Sequence, residues 1–210
     1  MTQAPTQRRD VGRHLARLTV EKYEAMVAAG LLTKRDHLEL IEGHLVEKMT
    51  KHPPHSVTVG LCLDVISASL PTGWHVRAEQ PVRIPDRDSE PEPDLAVTRG
   101  SRADYLRGHP GASDIALVVE IADFSIEDDR QMALTYGGGG IPAYWLVNIR
   151  DRQLEVYTNP SDPAAPLGYR HIQVLYPDND VPLILDSQLI AGIPVGELFP
   201  PLRDDAVPGR

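Results

Sequence analysis

Two acids in this chain stand where strand ends should bring them together. Asp94 opens one apolar run and Glu120 lies near the end of the next, so if those runs are neighbouring strands their carboxylates converge at one end of a sheet. Two hard oxygen donors suit Mg2+ or Mn2+, which favour carboxylates and keep several of their waters. Without a cation, acids a few ångströms apart repel, and one of them tends to stay protonated. Acids at strand ends are also common as plain solvated groups, and spacing alone leaves both readings open.

The elements that must position this pair can be read from periodicity. Leu95 to Val97, Ile115 to Ile121 and Tyr144 to Ile149 are compact runs rich in Val, Ile or Leu, as expected of central strands covered on both faces. Between the last two, Ser125 to Tyr136 is expected to be a helix, with Ser125 as N-cap, Glu127, Asp128 and Asp129 favouring its first turn, and Gly137 to Gly140 ending it. Ser56 to Leu70 has helical apolar spacing wide enough for a largely buried helix, closed by Pro71-Thr72-Gly73. Trp74 to Ile84 alternates as a strand and is followed by a polar loop and Pro91-Glu92-Pro93.

Upstream, Thr19 caps a short helix that Gly30 stops, and His37 to Met49 reads as a hairpin turning at Glu42-Gly43, with Pro53-Pro54 ending that unit. Downstream, Gln153 to Thr158 has the pattern of an edge strand, Asn159 to Gly168 of a loop, and His171 to Tyr176 with Val181 to Leu185 of a terminal hairpin. Residues 1–17 are expected to be a flexible arm and 201–210 a flexible tail around a single domain spanning 18–200.

The 210 residues are 41% hydrophobic and 24% charged, enough to bury one substantial core. Neither a secretion signal nor an uninterrupted apolar run of about 18 residues is present, so the expected location is the cytoplasm, with no membrane partner. The only cysteine, Cys62, lies in an apolar run, which excludes an internal disulfide and a thiolate zinc cluster. A formal charge of −9 excludes a surface that attracts nucleic acid everywhere; a DNA or RNA partner must meet a local patch or a bridging metal. Gly137 to Gly140 lacks the Lys and Ser/Thr of a Walker loop, and no serine elbow, Cys/His pair or dinucleotide fingerprint points to another enzyme class.

Taken in order, Glu39-Leu40-Ile41-Glu42-Gly43, Pro53-Pro54-His55, Glu90-Pro91-Glu92-Pro93-Asp94-Leu95, Val118-Val119-Glu120-Ile121, Asp128 to Tyr136 and Gly140-Ile141-Pro142-Ala143-Tyr144-Trp145-Leu146-Val147 resemble the Uma-two family of restriction endonucleases. The likeness runs from about residue 18 to about residue 197. That family belongs to the PD-(D/E)XK nuclease superfamily. The resemblance therefore implies an α/β fold with a restriction-endonuclease-like αβββαβ core, here with an N-terminal helix and hairpin and a C-terminal strand extension.

It also implies metal-dependent cleavage of DNA phosphodiester bonds, with Asp94 and Glu120 holding Mg2+ or Mn2+ and Ile121 counted with them as a metal contact. Glu39 would add a third acid from the hairpin and His55 would line the site from the start of the buried helix. Glu42 reads more readily as a turn carboxylate, Asp123 as support for the following turn, and Gln80 as either a site contact or a structural hydrogen-bonding group. A homodimer is implied by family habit alone.

One departure bears on activity. The superfamily's lysine two residues after the second acid is here Ala122, and the family's alternative lysine position on the following helix is here Met132. No lysine follows Lys51, so on sequence no core lysine is available, and Gln131 or Arg130 is left to position a water or touch phosphate. Three readings stay open: a DNA nuclease of reduced activity, a degenerate nuclease fold serving as a binding or regulatory module, and a metal-dependent hydrolase of a small phosphorylated substrate.

Overall fold

The computed structural model describes residues 16–48, 50–124, 126–161 and 168–201. Its elements are α1 (Val20–Ala28), β1 (Leu38–Ile41), β2 (His44–Glu47), α2 (Pro53–Ser69), β3 (Trp74–Ala78), β4 (Leu95–Arg99), β5 (Ile115–Ala122), α3 (Ile126–Gly138), β6 (Ala143–Asn148), β7 (Gln153–Pro160), β8 (Tyr169–Leu175), β9 (Asp180–Leu185) and β10 (Gln188–Pro194). The run α2-β3-β4-β5-α3-β6 is the expected αβββαβ core. Strands β3 to β8 form one six-stranded sheet in chain order, antiparallel except for the β5–β6 pair, which α3 connects in parallel.

Alternation along the central strands divides their side chains between two helices. Val97, Leu117, Val119, Ile121, Trp145 and Val147 face α2, where Val59, Cys62 and Ile66 close the larger core. Ala96, Val118, Tyr144 and Leu146 face α3, packing with Ala133 and Tyr136. Both faces are covered, which explains the unbroken apolar runs of β5 and β6. Cys62 is buried in the larger core as a small apolar side chain, and burial raises its thiol to about 12.

Several expectations at element ends are corrected. Pro53 and Pro54 begin α2 instead of ending the hairpin, because a helix's first turn has no use for the N–H that proline lacks. The strand expected over Trp74 to Ile84 stops at Ala78, since Glu79 takes a left-handed φ of 53° that breaks the ladder. Val82 and Ile84 are buried under α3 without being strand residues. β7 is an interior strand, because β8 pairs along it; the residues given to a terminal hairpin are thereby split between the main sheet and a separate β9–β10 hairpin, whose second strand lacked a clear alternation. Of the expected arm, Arg17 is tied down by Glu42 and Asp88; residues 1–15, Ser125 and 202–210 lie outside the described residues. Among the described residues, no helix is long and apolar enough to cross a membrane.

The glycine run is also used differently. Helix α3 continues through Gly137 and Gly138, and Gly140, at φ 83°, supplies the left-handed stop. A Cβ at Gly137 would collide with the carbonyl of Gly168, so the helix and the chain entering β8 touch backbone to backbone. Gly137→Ala is expected to lower the unfolding free energy by about 1–3 kcal/mol, measured by urea denaturation. Gly60→Ala, in α2 with open space around its Cα, should leave stability unchanged or raise it by up to about 1 kcal/mol.

Candidate active site

Strand register sets the centre of the site. Leu95 pairs with Val119 and Ala96 with Val118, so one step further Asp94 lies opposite Glu120. There the ladder gives way to side chains: the Asp94 N–H donates to Glu120 Oε2 at 3.0 Å, and the Ile121 N–H donates to Asp94 Oδ2 at 2.9 Å. Pro93, just before Asp94, has no N–H to extend the ladder. The first two acids of the sequence analysis are thus brought together, and Ile121 meets the site through its amide.

The remaining donors come from both helices. Tyr136, on α3, donates its hydroxyl to Glu120 Oε1 at 2.7 Å, and His55 Nε2, in the first turn of α2, lies 3.0 Å from Asp94 Oδ2. Lys51 Nζ donates to Asp94 Oδ1 at 2.7 Å and to Glu79 Oε1 at 2.9 Å. A core lysine is therefore present, two residues ahead of α2, where the sequence reading excluded one. No spacing rule could have found it, because its proximity to Asp94 is created by the packing of α2 against the sheet. Tyr136 served in the sequence only to align the helix, and its bond to Glu120 emerges from the structure.

Electrostatics divide the two acids. Burial works to raise Asp94, which is 5% exposed, but the His55 hydrogen bond and the Lys51 charge hold it below its ordinary value. Glu120 goes the other way: burial and then the charge of Asp94 push it well above the usual carboxylate range, against the hydrogen bonds from the Asp94 amide and Tyr136. This is the pattern of two acids sharing a confined space, where the charge of one favours the protonated form of the other. Burial favours neutral Lys51, but the charges and hydrogen bonds of Asp94 and Glu79 prevail and raise its pKa.

The pair opens into a cleft of about 670 Å³. Glu39 lines it and accepts from the Glu92 N–H at 2.9 Å, with burial raising its carboxyl. Gln131 is exposed along the α3 wall, whereas Met132 also leans against the Tyr136 core. Asp123 Oδ2 is buried in the cleft wall without a hydrogen-bond partner. Glu42 is more than a turn carboxylate: it accepts from Arg87 at 2.8 Å and Thr135 at 3.0 Å, fastening the hairpin to α3.

Two suggested contacts are corrected. Gln80 is exposed and does not line the cleft; the left-handed turn at Glu79 carries it away and leaves Glu79 to reach Lys51. Arg130 turns to the buried Glu155, 2.5 Å from its guanidinium, and so is committed to the β7 side of α3 instead of phosphate.

The hairpin is held to the site by Glu90, whose N–H donates to Leu40 O at 2.7 Å. Its side chain is 4% exposed, and burial, reinforced by Glu24, raises its carboxyl to about 7. A raised acid favours the fold while protonated, so this stabilisation is complete below about pH 4.5 and is lost as pH rises toward 7. Glu90→Gln is expected to flatten stability between those values and to gain about 2–3 kcal/mol at pH 8, read by denaturation across pH. An unchanged pH slope would remove Glu90 as its source.

Against known proteins, a family model described as Uma2, "Putative restriction endonuclease", matches residues 20–189. Among solved structures, a "putative nuclease belonging to DUF820" from Anabaena variabilis ATCC 29413 superposes with a TM-score of 0.65 at 19% identity, covering 87% of this chain and 97% of that one. At that identity the likeness establishes the fold alone. No curated protein matches the chain.

Proposed function

Because the chain belongs to the Uma2 family of restriction endonucleases, we propose that it is a divalent-metal-dependent nuclease that hydrolyses DNA phosphodiester bonds at Asp94 and Glu120. The observation that carries this reading is the facing pair itself, two hard-oxygen side chains from adjacent strands with Lys51 on one of them.

The donors fit a hard cation that keeps most of its waters. Glu120 and Asp94 oppose each other's ionisation, a conflict that a divalent ion relieves, and the unpartnered Asp123 oxygen lines the same cleft. They do not fit a closed protein cage, since among the described residues no group of three or more His, Cys, Asp and Glu side chains is gathered for one. Asp94, Glu120 and the main-chain carbonyl of Ile121 would hold the ion, which when bound would polarise the phosphate and acidify an attacking water.

The chain's own groups supply the rest. The Lys51 ammonium, kept charged by Asp94 and Glu79, donates hydrogen bonds that orient a water and meets the negative charge that builds on phosphate oxygens. It takes the role that Ala122 and Met132 leave open, which weakens the case for a degenerate binding module. His55 fixes Asp94 from α2, and Tyr136 fixes Glu120 from α3, so each acid keeps its rotamer without help from solvent.

Cleavage of plasmid and single-stranded DNA in Mg2+ and in Mn2+ tests this. The parent should cut, Asp94→Ala and Glu120→Ala should abolish cutting and calorimetric metal binding, and Lys51→Met should bind metal yet lose about 10²–10³-fold in rate. Met132→Lys should change the rate by no more than a few-fold. A parent inert with both metals, or a Lys51→Met variant as active as the parent, overturns the assignment.

A further inference from the structure

The cleft is poorly built to follow a duplex. Nine carboxylates line it, against the cations Lys51 and Arg87, and both cations are already paired, Lys51 to Asp94 and Arg87 to Glu42. Duplex binding gains most of its affinity by neutralising phosphates with Lys and Arg. A different source of affinity is needed at this mouth.

At the rim, three flat side chains from separate elements converge. Phe124, in the turn from β5 to α3, is 69% exposed. The His52 ring, at the start of α2, meets it edge-on with centroids 5.4 Å apart and an interplanar angle of 74°. The guanidinium of Arg150, from the turn after β6, lies over the Phe124 ring at 5.8 Å. Phe124 and His52 both line the cleft that contains the acid pair. A lone exposed aromatic needs no explanation, but an aromatic, an imidazole and a guanidinium gathered at one rim are the groups on which unpaired nucleobases stack.

Arg150 differs from the cations of the cleft in having no carboxylate partner among the described residues, so its charge is available to a phosphate next to a stacked base. Phe124 follows Glu120 by four residues, which limits their separation to about 14 Å of extended chain. A base seated on Phe124 therefore belongs to a nucleotide close to one held at the acids. Stacking suits an acidic cleft because it draws on the base's π face and adds no demand for phosphate neutralisation.

Building on the nuclease reading above, we infer that Phe124, His52 and Arg150 form a nucleobase seat, and that the favoured substrate is an unpaired or extruded strand in place of a continuous duplex. Phe124 supplies the platform on its exposed surface, His52 stands across it and braces it, and Arg150, beside the ring, reaches the adjoining backbone. A base paired within a duplex keeps its faces against its own neighbours and cannot use this seat without unstacking.

The test is binding by the full chain, measured by fluorescence anisotropy in Ca2+ with a labelled single-stranded oligonucleotide and with the same strand in duplex. Phe124→Ala and Phe124→Leu should each weaken single-strand binding by about 5–100-fold, Phe124→Trp should match or exceed the parent, and duplex binding should move little. Phe124→Leu binding as tightly as the parent would reduce the contact to simple apolarity and overturn the seat, as would Phe124→Ala without effect or equal losses for strand and duplex. The two proposals fail separately. A parent that binds single strands through Phe124 but cuts nothing overturns the nuclease alone, whereas a parent that cuts while Phe124→Ala binds and cuts single strands normally overturns the seat alone.

Discussion

The interaction on which the rest of this structure depends is the placement of two buried acids directly across from each other at the end of the β4–β5 ladder. Such a pair is unfavourable by itself, since each carboxylate loses water and faces a like charge. The surroundings are organised to offset that cost. Two main-chain amides, a tyrosine hydroxyl, an imidazole and an ammonium all point at four carboxylate oxygens. Their unequal distribution separates the acids: the cationic lysine and the histidine fall on Asp94, and Glu120 is left with neutral donors.

This arrangement explains why elements remote in sequence are bolted to the sheet end. Helix α2 must bring Lys51 and His55 to Asp94, and its two N-terminal prolines begin the helix without leaving amides unsatisfied there. Helix α3 must bring Tyr136 over Glu120, and the glycines at its end let it lie against the chain at Gly168. The β1–β2 hairpin forms the third wall through Glu42 to α3 and through Glu39 and Leu40 to the Glu90–Glu92 segment. The result is a cleft rich in carboxylates whose cations are internally paired, and this charge pattern shapes what can enter it.

Much of the frame was legible in the chain because its signals are local. Unbroken apolar runs with Val, Ile and Leu announced β4, β5 and β6, and the acid at the start of one and near the end of another marked the site. The Glu42-Gly43 turn and the existence of α2 followed from dipeptide chemistry and 3.6-residue spacing, but the helix expected to be largely buried covers only the face of Thr58, Val59, Cys62 and Ile66 and leaves Val57 exposed. What failed was local in another sense: Pro53-Pro54 and the glycine run can break a helix or serve its ends, and composition does not say which. The β7 strand likewise has the same alternation whether or not β8 lies beside it.

By itself, the sequence determined the order of elements from α1 to β7, the two-sided burial of the central strands and the identity of the facing acids, because hydrophobic period and turn chemistry act over a few residues. Only the tertiary structure decided that Lys51 stands on Asp94, that Tyr136 donates to Glu120, that Arg130 is spent on Glu155, and that Phe124, His52 and Arg150 share one rim. Each of these joins residues from different elements, and their meeting is fixed by how helices pack on a sheet whose register is already set. A lysine 43 positions from an acid carries no mark of that acid in the chain; burial of the surfaces between them is what brings the two charges within hydrogen-bonding distance.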